Sequence, residues 1–266
     1  RDRSEAARDD LGNGLDLEAA ERAQELEADA PPAAVDTRIG FKFGQWLRYV
    51  DDFTGARAHL AETERLAHDE GDESSYPNLF LNRSLLECWA GNWVEAAELA
   101  DRCHESFNQV GVGLRAPNLW RAYVDAHFGR ADDVRRAAPA SEEIDEPAHR
   151  MLWNRIVGLA ELTVGNASEA DDRLSRALDD LDLMDFREPA VWRVHGDAIE
   201  AALAVGDRTR AAARIEQFEV QAARSRIPWN LAVSARCRAL LEAANGDLDA
   251  AEASLERALE AHAHCP

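Results

Sequence analysis

The chain has 266 residues, 46% of them apolar, and its 51 acidic against 30 basic residues give a formal net charge of −21. That length supports a large core or several small units, and its few Gly and Pro residues exclude collagen-like or low-complexity sequence. Nucleic acid attracts proteins that neutralise its phosphates with Lys and Arg, so direct nucleic-acid contact is not expected, and no apolar run reaches the roughly 18 residues of a membrane span.

The charged start, Arg1-Asp2-Arg3-Ser4, lacks the apolar stretch of a signal peptide. Cys88, Cys103, Cys237 and Cys265 are far apart and include no CxxC pair. They read as reduced core cysteines of a cytoplasmic protein. Taken in chain order, the helical periodicity predicts one helix near 16–28, broken by Pro31-Pro32. Paired helices then follow near 38–50 and 53–69, 77–90 and 93–109, and 117–128 and 131–138. Three more pairs lie near 147–164 and 167–183, 189–205 and 208–225, and 228–245 and 248–262. No strand-like alternation is found.

Each pair turns at a landmark residue: Gly14, Asp51, Gly91, Gly129, Gly165, Gly206 or Gly246, at intervals of 36 to 41 residues. Five positions later stand Ala19, Ala56, Ala96, Val134, Ala170, Ala211 and Ala251. Nine positions later stand Ala23, Leu60, Ala100, Ala138, Leu174, Ile215 and Leu255. Residues four apart share a helix face, so these two columns predict one buried face. In the last unit Ala251, Leu255, Ala258 and Leu259 are expected on it together. Small first-column residues let two helices approach closely. Pro77, Pro117, Pro147, Pro189 and Pro228 precede the later turns, and proline suits the first position of a helix.

Such units predict an all-α fold: an α-solenoid, a right-handed superhelix of six to seven helical hairpins. Residues 1–35 form a partial N-terminal repeat and linker, and 36–266 the repeat domain. Terminal repeats generally need a polar cap. Cys265-Pro266 directly follow a helix, so at least one further helical unit is expected beyond, in a larger parent protein.

The helix–Gly-Asp–helix unit with Ala five after the Gly resembles the tetratricopeptide pattern. Small residues seven before the turn agree with it at Gly44, Ser84, Ala122, Gly158 and Ala239, with Ile199 departing. The run from Asp197-Ala198-Ile199-Glu200-Ala201 through Gly206-Asp207 and Pro228-Trp229 to Ala235-Arg236-Cys237-Arg238 is similar to the helical sensor region of large ATP-binding LuxR-type transcription regulators. So are Gly71-Asp72-Glu73-Ser74 and Leu86-Glu87-Cys88-Trp89-Ala90-Gly91. The resemblance implies flanking ATPase and DNA-binding domains in the parent protein. This chain has neither GxxxxGK[ST] nor a basic recognition helix. What it implies here is a signal-sensing module with no catalytic residues.

The chemistry-bearing residues agree with that absence of catalysis. His59, His68, His104, His127, His149 and His195 are isolated, and His262 and His264 are spaced onto different helix faces, so no metal is expected. No GxSxG elbow occurs. Asp51-Asp52, Asp171-Asp172 and Asp179-Asp180 read as solvated charge, and the acids Glu142 to Glu146 as favourable neighbours of a helix start. No cofactor is expected. The remaining candidates are the rings and cations of the first helices: Arg83, Trp120, Tyr123, Trp153, Trp192, Arg193, His195 and Trp229. On a concave face they would bind a protein or peptide partner, or a small-molecule inducer, by stacking and charge. The alternatives are that the rings are inter-repeat core, that the chain is a pure protein–protein scaffold, or that it is an all-helical enzyme built around His195. Asn82, Arg83, Arg121, Asn154, Arg155 and Arg193 neighbour the rings, and several are expected to face solvent.

Overall fold

The computed structural model describes residues 22, 33–110, 118–139 and 144–265. Apart from residue 22, the predicted helix near 16–28, with Gly14, Ala19 and Ala23, lies outside the described residues, as do Pro31-Pro32, Pro117 and Glu142-Glu143. Among the described residues there are thirteen α-helices and no strand. They are α1 (Ile39–Tyr49), α2 (Phe53–Glu70), α3 (Tyr76–Trp89), α4 (Trp93–Val110), α5 (Leu119–His127), α6 (Ala131–Ala137) and α7 (Pro147–Thr163). The series continues with α8 (Ala167–Leu183), α9 (Pro189–Trp192), α10 (His195–Ala204), α11 (Arg208–Ser225), α12 (Pro228–Ala244) and α13 (Leu248–His262). None is long and apolar enough to cross a membrane. The described residues divide into two compact units, one up to Val124 and the other from Asp125 to Cys265.

The turns follow one design. Gly91, Gly129, Gly165, Gly206 and Gly246 all take positive φ, and at the first described turn Asp51 does so too, at 66°. Glycine takes this conformation without steric cost and ends a helix there. The next residue's N–H then reaches back five positions. Asn92 donates to the Glu87 carbonyl at 2.8 Å, Asn166 to Glu161 at 2.9 Å and Asp207 to Ala202 at 2.9 Å. Where that residue is Asp, it also opens the following helix. Asp52, Asp207 and Asp247 accept from the backbone N–H three positions on, at 2.8, 3.0 and 3.1 Å. The Gly-Asp pair therefore closes one helix and starts the next.

The small-residue columns are buried as expected. Ala56, Ala96, Val134, Ala170 and Ala211 have no exposure, nor do Leu60, Leu174 and Ile215. Gly44 and Gly158 face these columns: a Cβ on Gly158 would stand 2.6 Å from the Leu174 Cγ. The last hairpin departs from the pattern. Leu255 is 46% exposed and Leu259 68%, while Ala251, Ser254 and Ala258 carry the packing of α13 against α12. No described helix covers the Leu255 side, so period alone assigned it to a core it does not reach. Ala138 is only half-buried, because α6 ends at Ala137.

A second repeating device had no counterpart in the apolar pattern. Four residues before Gly91 and Gly165 stand Glu87 and Glu161, both buried. Arg57 grips Glu87 at 2.7 and 2.9 Å, and Asn92 holds the same carboxylate at 2.6 Å. Arg135 grips Glu161 at 2.6 Å through two nitrogens, and Asn166 adds a bond at 2.9 Å. Each arginine comes from the preceding hairpin, so the cluster staples neighbours through a bidentate pair. Arg135 draws the Glu161 carboxyl below its ordinary range, with burial opposing and Asn166 helping. A depressed carboxyl stabilises the fold above its unfolded pKa of about 4.3, and that stabilisation fades as pH falls through the folded value. Glu161→Gln will cost about 1.5–3 kcal/mol at pH 7. In urea unfolding at stepped pH, the gap to wild type will close below about pH 4.3; a gap constant with pH would show that the ion pair contributes nothing.

The segments that resemble LuxR-type regulators have structural work here. Gly71 ends α2 with φ 68°, and Asp72 accepts from the Val35 N–H at 2.7 Å and from the Ser75 hydroxyl. Glu87 of the second segment is the staple carboxylate just described.

Candidate functional site

The eight candidates from the first helices fall in both units: Arg83, Trp120 and Tyr123 in the first, and the other five in the second. Arg83 is ion-paired with Glu64. Trp120 is half-buried against the Phe80, Leu99 and Cys103 cluster. Tyr123 is buried, and its hydroxyl accepts from the Trp89 indole N–H at 2.9 Å. Trp153 is 3% exposed, a core ring of α7. The solvent-facing expectation also fails for Asn82, Asn154, Arg155 and Arg193, all 8% exposed or less. Asn82 accepts from Gln45 at 3.0 Å and from Arg48 at 3.3 Å, so its polarity is spent inside the fold.

Trp192, Arg193, His195 and Trp229 do come together, because of a break the helical period missed. The helix predicted over 189–205 ends at Trp192 and restarts at His195. Arg193 sits between with φ 48° and ψ 40°, its N–H bonded to the Pro189 carbonyl at 2.8 Å. The left-handed conformation is costly for a residue with a Cβ. Here burial of Arg193 over the Trp229 ring, 4.7 Å from guanidinium to centroid, holds it. Glu188 fixes the start of α9: its carboxylate accepts from the Ala190 N–H at 3.0 Å and from Asn230 at 2.7 Å. Burial raises the Glu188 carboxyl above its ordinary value, against those hydrogen bonds. Phe186 meets Trp192 edge-on at 6.0 Å, and Phe218 lies between His195 at 5.3 Å and Trp229 at 6.2 Å.

Beside this cluster runs a groove of about 640 Å³ between α8 and α11. Leu178, Leu181, Phe186 and Ile199 give it apolar walls, and His195, Arg214 and Gln221 give it polar ones. Asp179, Asp182, Arg187, Glu216, Gln217 and Val220 also line it, and all six are exposed. The His195 Nδ1, the Gln221 Oε1 and the nearby Trp192 Nε1 are shut off from solvent and have no hydrogen-bond partner among the described residues. Such an atom costs about 1–3 kcal/mol, which marks the place as unfinished. Burial pulls His195 down to about 4, with Asp182 opposing, so its imidazole is neutral at pH 7.

The groove recurs in the other unit, between α2 and α4. There Phe80 stands where His195 does, eleven residues before its turn glycine. The Arg102 guanidinium covers that ring at 3.9 Å and fills the place. The groove is thus a property of the repeat, lined mostly by second helices, whereas the ring pattern pointed to first helices. The signal present in the sequence was Arg214, Gln217 and Gln221 at i, i+3 and i+7, a polar stripe along α11. Among the described residues no three His, Cys, Asp or Glu side chains group as a metal site. Among the described residues no disulfide joins Cys88, Cys103, Cys237 or Cys265.

No protein family matches the sequence, and no curated protein matches it either. Among solved structures the chain is similar to a Rap protein complexed with competence and sporulation factor. The TM-score is 0.59 and the identity 13%, over 85% of this chain and 65% of that one. The chain thus spans less than two thirds of that structure's length, and at this identity the likeness is one of fold. This is an all-α chain of tetratricopeptide-like helical hairpins.

Proposed function

We propose that this chain is a non-catalytic recognition module that binds a peptide segment or protein partner in the groove between α8 and α11. The observation that carries the reading is the set of unsatisfied buried polar atoms at that groove, His195 Nδ1 and Gln221 Oε1. A groove that is open and mixed in polarity suits an extended chain with its own donors and acceptors better than a small apolar inducer. The similar Rap structure, solved with competence and sporulation factor bound, supports a recognition role for hairpins of this kind. The sequence resemblance supports a place within a LuxR-type regulator, where occupancy of the groove would shift the packing of neighbouring hairpins. The enzyme reading is disfavoured, because His195 packs on Phe218, its Nδ1 has no hydrogen-bond partner among the described residues, and at about 4 it is too weak a base.

The test is retention of a randomised hexapeptide library by the immobilised chain, read by mass spectrometry. Val220 is 71% exposed at the groove lip, so Val220→Trp will obstruct the groove without touching the core. Wild type is expected to enrich a defined set of sequences, and the variant to bind that set at least tenfold more weakly. Enrichment that survives Val220→Trp unchanged, or no enrichment at all, removes the proposal.

A further inference from the structure

The cations of the three grooves are not equivalent. Between α2 and α4, Arg65 pairs with Glu62 and Asp69, and Arg102 with Glu64. Between α7 and α8, Arg150 pairs with Asp180 and Arg176 with Asp172. In the α8–α11 groove, Arg187 pairs with Asp182 and Asp185. Arg214 differs from all of these: among the described residues it has no carboxylate at ion-pairing distance. Its two terminal nitrogens donate to neutral acceptors, the Ala198 carbonyl at 3.1 Å and the Ser175 hydroxyl at 3.0 Å. It is also half-buried. A guanidinium has five N–H donors in a fork that matches a carboxylate. Removing it from water without a counter-charge is unfavourable. Burial and then Arg210 hold its pKa below the ordinary arginine value, against more distant Asp171, Asp179 and Asp207. Arg210 is itself committed to Asp171 and Asp207.

From this unmatched cation we infer that the groove takes its peptide by a carboxylate seated on Arg214. The inference rests on the recognition reading above and adds the chemistry of the ligand. The Gln221 Oε1 needs a donor, and a peptide N–H next to the carboxylate supplies one. At the rim, Asp179, Asp182 and Glu216 repel a free anion and attract a positive neighbour. The ligand is therefore a peptide whose carboxylate is flanked by neutral or basic residues. That carboxylate comes from the C-terminus or from an Asp or Glu side chain.

Three hexapeptide libraries separate these sources on the full chain. The first has free C-termini and no Asp or Glu. The second is amidated and contains Asp and Glu. The third is amidated without either, and so has no carboxylate. Retention of the first or second but not the third is expected, and which of the two is retained names the source. Arg214→Gln will weaken the retained sequences at least tenfold, while Arg214→Lys, which keeps the charge, will recover part of the loss. Equal retention of the third library on wild type overturns the carboxylate and leaves peptide recognition standing, with no variant needed. Retention unchanged by Arg214→Gln overturns it likewise. Failure of all three libraries overturns both readings.

Discussion

Phe218→Ala will lower the unfolding free energy by about 3–5 kcal/mol, the usual cost of deleting a fully buried ring. Phe218 has no exposure and belongs to the core formed by Ile199, Ile215, Cys237 and Leu241. It also stands between the rings of His195 and Trp229. Three packed elements, α10, α11 and α12, meet at this side chain, so collapse around the void is restricted on every side. Urea unfolding will show a lower midpoint with an unchanged slope, the mark of lost stability in the same two states. Phe218→Leu keeps most of the volume and will cost less than about 1.5 kcal/mol. The alanine variant will also lose peptide retention beyond what its folded fraction explains, because His195 rests on the deleted ring. A loss below about 1 kcal/mol would mean that the site relaxes freely, and the packing described for α11 would then be wrong.

The second large effect lies at the α7–α8 contact and is non-additive. Leu174 has no exposure, and Leu174→Ala will cost about 2–5 kcal/mol. Gly158→Val places a Cβ 2.6 Å from the Leu174 Cγ, with the Arg173 Cβ at 3.2 Å. That overpacking will cost roughly 1–3 kcal/mol or more. Combined, the valine methyls enter the space the leucine vacates. The double variant will therefore be more stable than the sum of the singles predicts, by about 0.5–3 kcal/mol. Strict additivity would show that Gly158 and Leu174 are not in contact. This pair tests the repeat directly, since the small residue seven before the turn and the apolar residue nine after it define the hairpin.

Much of this was legible in the sequence. Gly91, Gly165, Gly206 and Gly246 announced the turns, since only a residue indifferent to the sign of φ recurs where a left-handed step is needed. Ala96, Ala170 and Ala211 announced the close faces, and the helix limits of α8, α11 and α13 follow from the same period. What the period could not give is which apolar faces are covered: Leu255 shares its column with Leu174 and Ile215, yet stands in water. Nor could it give the break at Arg193, where stacking on Trp229 of a later helix outweighs the local preference for helix.

The site divides in the same way. His195 stands out in the sequence by its place beside the rings, while Arg214 and Gln221 lie on the second helix of their hairpin, where the ring pattern does not point. Local spacing of apolar, small and turn residues determined the hairpins, because each is stabilised by contacts within about forty residues of chain. Only the tertiary structure decided which arginines are already neutralised. A carboxylate partner such as Glu87 for Arg57 or Glu161 for Arg135 comes from another hairpin, so a cation left without one in a groove is visible only once the hairpins are packed.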